Sequence, residues 1–166
     1  MAESPTDITD QLRRWAHGLY TTEAATELLI RAHNGAFASD VRPWIKRTHR
    51  SHWIDFPNIT EHLDGLSGGE QRLLRIAASI GSDEATPVNL GNVLSGLDRP
   101  TLRLVLAAVA HAGGSHQHSS LVIDRDGHAT IIKEPSLFIW DGEAFIWDGE
   151  ARSPGSTGQA IAIRRW

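Results

Sequence analysis

Three histidines, His111, His116 and His118, lie close together in the sequence. A His-x-His pair on an extended segment turns both rings to one side, and His111 at a helix end supplies a third nitrogen. That spacing suits coordination of a divalent metal through imidazole. The chain has no cysteine, so any metal site has to be built from His, Asp or Glu, and a disulfide framework is excluded. Gly65-Leu66-Ser67-Gly68-Gly69 satisfies G-x-S-x-G, the pattern of a nucleophile elbow. An elbow needs a buried strand before the serine, and no strand is legible there. Ser67 reads instead as a helix N-cap, no residue is assigned a catalytic role, and no cofactor is expected. The free amides of that helix start make Ser67, Gly68 and Gly69 candidate anion ligands.

Arg42-Pro43-Trp44-Ile45-Lys46-Arg47-Thr48-His49-Arg50-Ser51-His52-Trp53 concentrates positive charge. Arg42, Lys46, Arg47 and Arg50, interleaved with two tryptophans, have the composition to hold phosphates and stack a base, which makes nucleic acid a candidate partner. The net charge of −4 opposes a general attraction to polyanions. The third feature is an exact repeat, in which Phe138-Ile139-Trp140-Asp141-Gly142-Glu143-Ala144 recurs as residues 145–151. With Asp141-Gly142 as a two-residue turn, Phe138, Trp140, Phe145 and Trp147 share one face of a hairpin, and aliphatic residues share the other. An aromatic face of that size needs a cover. The expected covers are the C-terminal strand or a second copy of the protein, so a protein partner, including a homodimer, is expected.

These groups have to be carried by a recognisable set of elements. Ser4-Pro5-Thr6-Asp7 has the form of a capping box, with Ile8, Leu12, Trp15 and Leu19 behind it at helical spacing. A second helix follows Thr22, with Ala25, Leu28, Leu29 and Ala32 on one face, and stops at Asn34-Gly35. Residues 36–56 read as irregular, and a short helix is expected over 58–63. Ser67 and Glu70 form a capping box ahead of Leu73, Leu74, Ala77 and Ile80. Asp98 caps a helix that turns Leu102, Val105, Leu106 and Val109 inward and ends at Gly113-Gly114. After residue 119 the period changes to two: Leu121-Val122-Ile123 and Ala129-Thr130-Ile131-Ile132 flank Asp126-Gly127, and Ala160-Ile161-Ala162-Ile163 closes the series.

The expected class is therefore α+β: one domain over residues 1–166, mainly helical to residue 114, then an antiparallel β-meander from 119. Composition agrees, with 40% hydrophobic and 22% charged residues. The first residues lack a signal-peptide pattern and no stretch is apolar enough to span a bilayer, so a cytoplasmic protein without a membrane role is expected.

Leu66-Ser67-Gly68-Gly69-Glu70-Gln71-Arg72 resembles the signature motif of ABC ATPases. Ser95-Gly96-Leu97-Asp98 resembles their D-loop, and His116 or His118 falls where a switch histidine would. The resemblance covers residues 66 to about 127. It departs where activity is decided: no G-x-x-x-x-G-K-[ST] occurs, and Gly91 and Asn92 stand where the resemblance would place the magnesium aspartate and the catalytic glutamate. An active ATPase of this type is excluded, and what the resemblance implies is a degenerate nucleotide or anion binder at Ser67. The same stretch also resembles small uncharacterised actinobacterial proteins, which implies a bacterial cytoplasmic setting and no particular activity. The leading expectation is a non-enzymatic binding or regulatory protein.

Overall fold

The computed structural model describes residues 5–49, 51–123 and 127–140. The fold is α+β, and its order follows from where the backbone can and cannot stay helical. Helix α1 (Pro5–Ala16) begins on the proline, whose missing N–H costs nothing there. It ends because Gly18 takes φ +99°, a left-handed conformation. The buried stripe is consequently Ile8, Leu12 and Ala16. Trp15 leans out to meet Trp53 and Phe56, with ring centroids at 6.4 and 6.2 Å. Leu19, expected on the stripe, is the exposed N-cap of the next helix.

Helix α2 (Tyr20–Arg31) buries Ala24, Ala25, Thr26, Leu28 and Leu29. The stop expected at Asn34-Gly35 is present and reaches one residue further back. His33, Asn34 and Gly35 all have positive φ, at 48°, 55° and 79°. Residues 36–56, expected to be irregular, contain an antiparallel pair, β1 (Ile45–Arg47) and β2 (His52–Ile54). Ile45 faces Ile54, and Arg47 faces His52. Strands of three residues are too short to show a period. Asp55 caps α3 (Phe56–Ile59), which therefore starts two residues before the expected helix.

Helix α4 (Gly68–Gly81) carries the expected capping box and buries Leu73, Leu74 and Ala77. A short helix α5 (Leu90–Leu94) follows, capped by Asn89 and not anticipated from its spacing. Helix α6 (Arg99–Ala112) is capped by Asp98 and ended by Gly113 and the left-handed Gly114. Its inward face matches the expected one only in part: Val105 is buried as expected, Leu106 and Val109 are exposed, and Ala107, Ala108 and Ala110 are buried in their place. The reason is its partner. α6 packs most extensively on α2, the central helix, and alanines on both sides let the two backbones approach closely.

Strands β3 (Ser119–Ile123) and β4 (Ala129–Lys133) pair antiparallel with Leu121 opposite Ile131 and Ile123 opposite Ala129. The pairing stops at Ile123 and Ala129. Leu121, Ile123 and Ile131 share one face and are 64%, 64% and 75% exposed. Val122 and Ile132 on the other face are also exposed. Leu137–Trp140 takes no strand conformation; the chain bends and Trp140 enters the core. The rest of the expected meander, with Asp141-Gly142, Phe145, Trp147 and Ala160–Ile163, lies outside the described residues. No described helix is long and apolar enough to cross a membrane.

Candidate functional site

Residues 23, 26 and 27 are spaced i, i+3, i+4, so Glu23, Thr26 and Glu27 share one face of α2. That face meets Arg13 and Ala16 of α1, His17, His111 in the last turn of α6, His116 in the 3₁₀ turn Ser115–Gln117, and Trp140. Together they line a cavity of about 340 Å³.

Two carboxylates anchor its walls. Glu23 Oε1 accepts from the Gly18 amide at 2.8 Å, and Oε2 lies 2.9 Å from His111 Nε2. Burial alone would raise the Glu23 carboxyl, but the Gly18 amide and the His111 ring outweigh it and hold it below its ordinary value. Glu27 accepts from Arg13 Nε at 2.5 Å and Arg13 Nη2 at 3.2 Å, and from Arg31 Nε at 2.8 Å. Burial pushes Glu27 up, and the two guanidinium groups more than reverse it, leaving this carboxyl also below its ordinary value. Arg31 in turn stands over the Trp140 ring at 5.1 Å.

The histidines form a stack. His111 and His116 lie nearly parallel, 17° apart with centroids at 4.3 Å, and Tyr20 presents its edge to His116 at 4.9 Å. Burial first, then the electrostatic influence of the neighbouring His111 ring, holds the His116 imidazole below its ordinary range. Two buried polar atoms here have no hydrogen-bond partner: Thr26 Oγ1 and His116 Nδ1. Thr26 is 1% exposed.

Of the metal ligands expected from sequence, His111 and His116 are brought together, whereas His118 is exposed at the end of the 3₁₀ turn, ahead of β3. The three do not converge, because the 3₁₀ turn after Gly114 folds His116 back over α6 and leaves His118 beyond it. Among the described residues no group of three or more His, Asp or Glu side chains is placed to hold a metal ion. Trp140, expected on a face shared with Phe138, is 5% exposed and walls the cavity, while Phe138 remains exposed.

The Ser67 motif is well formed and internally occupied. Glu70 N donates to Ser67 Oγ at 3.3 Å, and Ser67 N donates to Glu70 Oε2 at 2.8 Å. Hydrogen bonding from the Ser67 side chain, then from its backbone amide, holds the Glu70 carboxyl below its ordinary value. The structure does bring the D-loop-like segment alongside. A side chain on Gly96 would come within 2.5 Å of the Arg72 guanidinium, and one on Gly69 would lie 4.0 Å from the Gly96 carbonyl oxygen. Gly91 and Asn92 lie in α5. Of the three candidate anion ligands, Ser67 has its amide bonded to the Glu70 carboxylate.

In the basic run, Arg42 donates to the Ala36 carbonyl at 2.8 Å and covers the Phe37 and Trp44 rings. Lys46 on β1 lies 3.8 Å from Asp55, and Arg47 is the last residue of β1. Arg50 lies outside the described residues. Trp44 is buried at 1% exposure, its Nε1 donating to Phe37 O at 2.8 Å, so it has no face free to stack on a base.

Sequence reasoning missed Arg13, Glu23, Thr26 and Glu27. The signal for the last three was their common helical face, interrupting a helix otherwise buried through alanine and leucine. Comparison with protein-family models, curated proteins and solved structures gives no match to this chain, which leaves the chemistry of these residues to identify the site.

Proposed function

We propose that the chain is a non-enzymatic binding protein whose ligand site is the cavity between α1, α2 and the end of α6. The observation that carries this reading is the cavity itself, walled by the fixed carboxylates Glu23 and Glu27, the stacked His111–His116 pair and the Trp140 ring. The cavity's size falls in the range of small-molecule sites, roughly 300–1,000 Å³.

Binding rather than catalysis is favoured by what the wall lacks. Thr26 is the single hydroxyl among the described lining residues, and no imidazole or carboxylate bonds its oxygen to activate it. The histidine that does pair with a carboxylate, His111, is tied to Glu23 through Nε2.

A fragment screen on the ¹⁵N-labelled protein tests the proposal. Bound fragments are expected to move the amide signals of Thr26, Glu27 and His111 together. A screen in which no fragment moves these three signals overturns it.

A further inference from the structure

We propose that the outer edge of β4 is an interface at which a second copy of this chain adds its own β4, antiparallel, about a two-fold axis at Ile131.

Hydrogen bonding in the hairpin identifies the edge. The Glu134 amide donates to the His118 carbonyl at 2.9 Å, one step beyond the paired strands. Pairs alternate along an antiparallel ladder, so Ser120–Ile132 and Val122–Thr130 are the hydrogen-bonded ones. Ala129, Ile131 and Lys133 therefore turn N–H and C=O away from β3, and no backbone bond among the described residues meets them. All of β4 is exposed, whereas Ser120 of β3 is half-buried, so β4 is the open side.

Exposed edges commonly carry a device against pairing, such as a proline, a bulge or a central charge. β4 pairs with β3 one to one without a bulge, and Thr130, Ile131 and Ile132 at its centre are uncharged. A two-stranded hairpin is marginal in water by itself, and further strands with an apolar face complete it.

Symmetry and charge select the occupant. The outward positions 129, 131 and 133 are symmetric about Ile131. Antiparallel pairing centred there opposes Ile131 to the partner's Ile131, Lys133 to the partner's Ala129 and Glu134 to the partner's His128. Each outward residue then exchanges backbone hydrogen bonds, and no like charges are opposed. Centring on Lys133 would oppose that residue to itself and bring in Pro135, which has no N–H. Centring on Ala129 runs into Gly127, whose φ of 84° leaves the strand conformation. Opposed side chains share a face, so Leu121, Ile131 and the same two residues of the second copy form one aliphatic row across four strands.

Sedimentation equilibrium of the full chain at up to about 1 mM is expected to show monomer and dimer in exchange. Ile131→Lys puts like charges at the two-fold and is expected to weaken the dimer at least about tenfold. Leu121→Lys adds the same charge to the same face, but roughly 14 Å from its counterpart, three strand spacings away. Its expected effect is below about threefold, because that separation exceeds the screening length. Both side chains are exposed, so both variants are expected to melt as the wild type does. In the wild type, exchange of the Ile131 amide is expected to slow as protein concentration rises. A monomer at every concentration overturns the proposal; an Ile131 amide already protected in that monomer would show the edge covered by the same chain. A dimer that survives Ile131→Lys overturns it too, as does one that Leu121→Lys weakens equally, since the contact would then lie on the faces. Exchange of the Ile131 amide that is independent of concentration overturns it without any variant.

Discussion

Two places in the molecule concentrate polar groups at helix ends, and they differ in who satisfies them. At the start of α4 Ser67 and Glu70, three residues apart in continuous sequence, satisfy each other's backbone amides. At the cavity, groups drawn from α1, α2, the end of α6 and residue 140 leave Thr26 Oγ1 and His116 Nδ1 unmatched. A motif with a strong local pattern is strong because its own residues complete it. Polar atoms left incomplete collect where long-range packing brings groups together.

The largest effect expected on this contrast is at Trp140, which closes the cavity from outside the helical layer. Trp140→Ala is expected to lower the free energy of unfolding by about 3 kcal/mol, because a buried indole and its contact with Arg31 are both lost. Urea denaturation measures it; a loss below about 0.5 kcal/mol would show that Trp140 is not a wall of the core.

Next in size is Ser67→Ala, expected to cost about 1 kcal/mol through the lost cap while leaving ligand affinity at the cavity unchanged. Thr26→Val should act with the opposite sign. It removes an unpartnered buried hydroxyl at nearly constant volume, so a gain of up to about 1 kcal/mol is expected. The same kind of substitution, polar to apolar, then destabilises one region and stabilises the other. Equal signs at the two positions would remove the distinction between a completed and an uncompleted polar cluster.

The two regions also differ in how far the sequence reveals them. The α4 capping box, the Asp98 cap and the Asn34-Gly35 stop were legible because each is a contact within four residues along the chain. The β3–β4 pairing was legible from its period of two, whereas β1–β2 was hidden by strands of three residues. The inward face of α6 was misjudged because leucines mark a buried stripe less reliably than alanines do at a close helix–helix crossing. The cavity was legible in fragments only. His111, His116 and Trp140 stand out as residue types, but each was assigned to a different purpose. What joins them to Glu23 and Thr26 is packing across 88 residues in the Glu23–His111 contact, and no local pattern encodes that.

The smallest expected effect is in the dependence of stability on pH, and it separates the cavity's two kinds of titrating group. Glu27 has a folded-state pKa below its ordinary value of 4.5, so its stabilisation is complete above that value and is lost as pH falls through the lower folded one. Glu23 behaves in the same sense. His116 is also held below its ordinary value, 6.5, so the unfolded chain takes up a proton there before the folded protein does. More protons bound in the unfolded state means that stability falls as pH drops from 6.5. Acid therefore acts in two windows, an upper one beginning at 6.5 from His116 and a lower one beginning at 4.5 from the carboxylates. Urea midpoints of the wild type and His116→Phe, measured between roughly pH 7.5 and pH 5, isolate the upper window. The variant is expected to lose less stability than the wild type on acidification through it, with the two profiles running parallel below. Profiles parallel throughout would mean that His116 is as well solvated folded as unfolded, and the neutral imidazole wall of the cavity would have to be given up.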